Sequence, residues 1–159
     1  MHSFSPVFRR GRFHSGSKVA IWTAIPDHLD STRNTWDYLN RRGRCPHFLW
    51  NPKTGDLIEG VKPEYSGTFF PGYGYAVAVM CDPEDPFTHY PLEGSESLCK
   101  ALEGLGVPEV WPKGPPGLYV AYSALQRPLR PGHYSANQIN PDWTGVGAID
   151  IGRLHGANA

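Results

Sequence analysis

Hydrophobic positions alternate from Gly74 to Met80, with Tyr75, Val77 and Val79 on one side and Ala76, Ala78 and Met80 on the other. Both sets are apolar, which predicts an interior strand covered on both faces. Lys18-Val-Ala-Ile-Trp-Thr23 is a short apolar run with β-branched residues, predicting a second buried strand. Between them, Asp30-Ser31-Thr32 offers helix caps, and Trp36, Leu39 and Asn40 share one face before Gly43, so a helix is expected there. Pro46–Asn51, the turn Pro52–Gly55 and Asp56–Glu59 read as a β-hairpin. In Ser95–Leu105 the residues Leu98, Ala101, Leu102 and Leu105 follow helical spacing, with Ser95 as the expected cap and Gly104 and Gly106 as the stop. Pro108–Pro116 reads as a linker, and Leu118–Leu125 as an apolar element of unassigned type. Strands interleaved with helices predict one α/β domain over residues 18–159, a mixed central β-sheet flanked by helices.

The first 17 residues break this pattern. Phe4, Phe8 and Phe13 stand among Ser and Arg, including Arg9 and Arg10, and the segment reads as an arm that docks by its aromatic side chains. The whole chain has 15 Lys and Arg against 15 Asp and Glu, so no net charge recruits nucleic acid or an anionic membrane. The basic runs at Arg9–Arg12 and Arg41–Arg44 are therefore read as solvated surface. Cys45, Cys81 and Cys99 are singletons; their odd number argues against a disulfide framework, although one bridge stays open. No apolar run follows the N-terminal basic residues, and none approaches the roughly 18 residues of a membrane span. Cytoplasmic synthesis without a signal peptide or membrane insertion is the expectation.

The segment Gly132–Leu154, GHYSANQINPDWTGVGAIDIGRL, resembles the last block of the zinc-dependent N-acetylmuramoyl-L-alanine amidases and peptidoglycan recognition proteins. In that family a Gly-His pair gives one zinc ligand, an Asp-Pro-Gly turn gives another, and an Ala-Leu/Phe-Asp-x-x-Arg-Leu stretch follows. Gly132-His133 and Ala148–Leu154 match these, while the turn reads Thr144-Gly145-Val146-Gly147. Val19-Ala-Ile-Trp-Thr23 is similar to the family's Val-x-Ile-His-Thr strand, and Pro46–Leu49 with Gly55–Ile58 to its Ser/Pro-x-His-Phe-Leu and Gly-x-Ile hairpin. Tyr75–Met80 is similar to its Ile-Gly-Ile-Glu strand, and Ser95–Leu105 to its long helix. The resemblance implies an amidase-like fold along most of 18–154.

It also implies a site that has lost its chemistry. The family binds zinc with two His and one Asp or Cys, leaving a place for water that the metal acidifies. Carried over, the first zinc His falls on Trp22, whose indole has no lone pair to give a metal. The second falls on His133, the third on Gly145 or Thr144, and the catalytic Glu on Ala78. No metal or other cofactor is expected. The residues expected to form a ligand-binding groove are Trp22, His47, His133 and Asp142. Asp142 lies near the lost ligand and is an alternative donor; His47 is read more as a packing residue, and His133 equally as a loop anchor or a groove residue. His28, His89 and His155 read as surface residues, and Asp82, Glu84 and Asp85 as a solvated turn.

These readings point to a non-catalytic protein with a structural or peptidoglycan-binding role. With no secretion signal and a cell-wall-like fold, the expected setting is a bacteriophage virion, its tail or tail tip. Other virion proteins or further copies of the chain are the expected partners, Phe4, Phe8, Arg9, Arg10 and Phe13 forming the assembly arm. Two other readings stay open: an active amidase, such as a phage lysin, with relocated ligands, and an unrelated α/β domain.

Overall fold

The computed structural model describes residues 2–3, 18–25, 31–63, 65, 69–70, 73–84, 92–117 and 129–154. The arm residues Phe4, Phe8, Arg9, Arg10 and Phe13, the segment 118–125, Asp85, His28, His89 and His155 lie outside them.

Among the described residues, six strands form one sheet: β1 (His2–Ser3), β2 (Val19–Ile25), β3 (Phe48–Trp50), β4 (Leu57–Glu59), β5 (Tyr75–Met80) and β6 (Gly132–Ser135), in the order β1-β4-β3-β5-β2-β6. The β3–β4 hairpin is antiparallel, and the other pairings are parallel. Every residue of β2 and β5 is buried, as two-sided apolar patterns demand of strands inside a sheet. β1 adds two residues to the β4 edge, so the start of the chain runs along its own sheet.

Two helices of ten residues cover the two faces. α1 (Thr32–Arg41) is capped by Ser31, whose Oγ accepts from Asn34 N at 3.0 Å. Its Trp36 and Leu39 join Ile21, Leu49, Ala78 and Met80 in one apolar layer. α2 (Ser95–Gly104) lies on the other face, where Leu98 and Leu102 join Trp22, Trp50, Val77 and Val79. Ser95 does not cap α2. It is buried as the first helical residue, and Gly94 stands at the cap with φ +83°. A Cβ on Gly94 would lie 2.8 Å from Gly55 O, so the hairpin turn reaches the helix start through glycine on both sides. Two four-residue helices complete the described chain: α3 (Ala136–Ile139) continues from β6, and α4 (Ile151–Leu154) sends Leu154 into the α2 layer. Among the described residues, no helix is long and apolar enough to cross a membrane.

Chain order decides where a site can form. From β2 the chain runs by α1 to β3, whereas from β5 it runs by α2 to β6, on the far side of β2. The carboxyl ends of β2 and β5 are therefore the point where the winding changes direction, the usual place for a crevice in such sheets.

Candidate functional site

Strands β2 and β6 lie side by side with Ala20 opposite His133 and Trp22 opposite Ser135. Trp22 and His133 consequently project from the same face, two positions apart in register. The indole Nε1–H of Trp22 donates to His133 Nδ1 at 3.0 Å, and both residues are buried. Trp111 stacks on the imidazole, with centroids 5.3 Å apart and planes at 25°, and stands 6.0 Å from the Trp22 ring. Its segment is bound in place: His133 N donates to Val110 O at 2.8 Å, and a Cβ on Gly132 would come within 2.7 Å of Val110 O and Pro112 Cδ. The stretch read as a linker thus supplies the third ring of a buried cluster. A tryptophan inside a Pro/Gly stretch was the sequence signal for it.

The turn after α3 closes over the carboxyl ends of β2 and β6. Thr23 Oγ1 donates to Thr144 O at 2.6 Å, Ala24 N to Gly145 O at 3.2 Å, and Val146 N to Ser135 Oγ at 3.0 Å. Ser135 Oγ in turn donates to Asn137 Oδ1, and Asn137 Nδ2 to Gly117 O. Gln138 Oε1 accepts from Ser135 N, and its Nε2 donates to Gly114 O. The Ser135-x-x-Gln138 spacing carries the first of these bonds in the sequence. Beside this network lies a surface cleft of about 260 Å³ lined by Pro83, Gly117, Asn137, Trp143, Thr144 and Gly145, among others. It sits where the change of winding places a crevice, and among the described residues no charged side chain lines it. The half-buried Trp143 at its wall packs against Phe70, with centroids 4.7 Å apart, and edge-on against Tyr73 at 5.2 Å.

The other expected site residues are not part of this cluster. His47, the residue before β3, is held by backbone: Nδ1 accepts from Ala76 N at 2.9 Å, so Nε2 carries the hydrogen that meets Tyr65 O at 2.7 Å. Tyr75 meets its ring edge-on. Burial pushes the His47 imidazole down to about 4, against a smaller opposing effect of the Tyr65 carbonyl. Asp142 is exposed in the turn, its N–H donating to Asn140 Oδ1. Asp82 and Glu84 are exposed too, with Asp82 Oδ1 accepting from Glu84 N. The three cysteines are buried thiols; Cys99 is pushed up to about 12 by burial and, less, by Glu109.

One carried-over position needs correction. Ala78 pairs with Thr23 and belongs to the α1 layer, on the opposite side of the sheet from Trp22 and His133. A side chain at 78 would point away from the ring cluster. On the Trp22 side, β5 presents Val77 and Val79, both buried and apolar, so no acid faces the cluster from that strand.

A zinc ion does not fit these residues. Trp22 offers no lone pair, and the Nδ1 lone pair of His133 is engaged by the indole. Of the two residues at the third position, Thr144 carries no carboxylate, thiol or imidazole, and a Cβ on Gly145 would overlap Asn137 Oδ1 and stand 2.5 Å from Ser135 Oγ. Among the described residues no group of three or more His, Cys, Asp or Glu converges as a metal site would require.

The fold is a mixed α/β sheet with helices on both faces and a cleft at the carboxyl ends of its parallel strands. No protein-family model matches the chain, and no curated protein matches it either. Among solved structures it is similar to the N-acetylmuramoyl-L-alanine amidase LysC from Clostridium intestinale URNW, at 12% sequence identity and a TM-score of 0.47, over 66% of this chain and 76% of that one.

Proposed function

We propose that the chain is a non-catalytic protein of amidase-like type, serving a bacteriophage virion, in its tail or tail tip, as a structural or peptidoglycan-binding component. The observation that carries this reading is Trp22. It occupies the position that the sequence resemblance gives to a zinc histidine, and its N–H is spent on His133, the counterpart of a second ligand. Hydrolysis of the amide between muramic acid and L-alanine needs an activated water and a proton carrier. The ring cluster supplies neither. The ordered series of strand, helix, hairpin, strand, helix and Gly-His block supports the family likeness, and Trp143 with Asn137 and Thr144 in a cleft whose described lining is uncharged supports the capture of a wall fragment without cleavage.

The test is clearance and binding on the same material. Purified cell walls incubated with the protein should keep their turbidity with or without a chelator, while the protein co-sediments with them or stays wholly in solution according to which role it plays. Chelator-sensitive clearance contradicts the proposal and favours the active-lysin reading.

A further inference from the structure

We propose that the Trp22–His133 hydrogen bond is a metal-free cross-link between β2 and β6, and that Gly145 makes it irreversible by any single return to histidine. The cross-link stands on geometry alone; only the comparison with a metal site rests on the family likeness. Three segments distant in sequence meet through it: Trp22 from β2, His133 from β6 and Trp111 from the stretch before β6. A structural metal gives the same service by binding donors from separate segments. Here the joint is an N–H donor, an acceptor lone pair and stacked rings.

The chemistry of the imidazole explains why the two joints exclude each other. A ring that accepts at Nδ1 carries its hydrogen on Nε2, so neither nitrogen offers a lone pair to a cation. Coordination would require breaking the bond from Trp22 and leaving a buried indole N–H without that acceptor. Restoring histidine at 22 removes this obstacle but not the next one. At position 145 Asn137 Oδ1 and Ser135 Oγ occupy the space of a Cβ, so a ligand side chain there would have to displace both. Those two groups are themselves bonded to each other and, through Ser135 Oγ, to Val146 N. The turn that would carry a third ligand is sewn to the strand ends by the groups that exclude one.

Three measurements on the full chain test this. In the parent protein, long-range ¹H–¹⁵N spectra should show His133 with an unprotonated Nδ1, and the Trp22 indole N–H should exchange slowly with solvent. Protonation at His133 Nδ1, or exchange at the rate of an exposed indole, overturns the cross-link and needs no variant. Trp22→Phe keeps an apolar ring and loses the donor; its Tm should fall by roughly 3–8 °C, and the His133 nitrogen signals should move. An unchanged Tm with unchanged nitrogen signals overturns the proposal. Titrated with zinc by calorimetry, Trp22→His should show no binding beyond that of the parent. Tight stoichiometric binding by Trp22→His overturns the role given to Gly145. Wall clearance by the parent, by contrast, contradicts the proposed function and leaves these signatures untouched.

Discussion

Gly145 and Gly104 are the same residue in opposite surroundings. A Cβ on Gly145 meets Asn137 and Ser135, whereas a Cβ on Gly104, the last residue of α2, meets nothing within 4 Å. Gly145→Ala should therefore cost about 1–3 kcal/mol by overpacking, while Gly104→Ala should stabilise by roughly 0.5–1 kcal/mol through helix propensity. Urea denaturation of the pair measures both, and equal effects would contradict the packing of the turn. His47 carries a separate signature. Its folded-state value lies near 4, below the usual 6.5, so the unfolded chain binds the proton more readily. Stability is full above about pH 6.5, falls as the pH drops toward about 4, and levels off below. The total loss from this group is about 3 kcal/mol. Comparing the parent with His47→Gln at about pH 7, 6 and 5 isolates it. The variant's stability should depend less steeply on pH, and parallel profiles would contradict the buried neutral ring.

At the scale of elements, the apolar patterns of β5 and α2 were legible because each follows a single period that burial enforces on every residue. The prediction that follows is direct: Leu102 is fully buried between α2 and the sheet, so Leu102→Ala should cost about 2–5 kcal/mol in chemical denaturation. An unchanged midpoint would contradict the layer. The start of α2 was misread because serine is a good cap in general, whereas here a left-handed Gly94 turns the chain and Ser95 is drawn inside. That choice depends on the hairpin turn at Gly55, some forty residues away, which no local pattern reports. The side of the sheet taken by Ala78 was equally hidden. It follows from the register of β5 against β2, and a shift of one residue would reverse it.

For the whole molecule, the positions 22 and 133 were readable from the motifs that resemble the amidase family, but their hydrogen bond arises only because β6 returns beside β2. Trp111, Asn137 and Trp143 were missed for the same reason: the ring cluster and the cleft are assembled from separate segments that the sheet brings together. The N-terminal segment is proposed as the contact with other virion proteins or with further copies of the chain. Deleting residues 1–17 removes the two-residue β1 from the edge of the sheet and should leave the fold intact while abolishing incorporation or self-association. A truncated protein that unfolds, or one that still assembles, contradicts that role. The central proposal, that a tryptophan–histidine joint stands where the sequence resemblance would place a metal, meets its most direct test in the metal content of the native protein purified without chelators. The account predicts zinc at background level by inductively coupled plasma mass spectrometry; stoichiometric zinc that survives dialysis would contradict it.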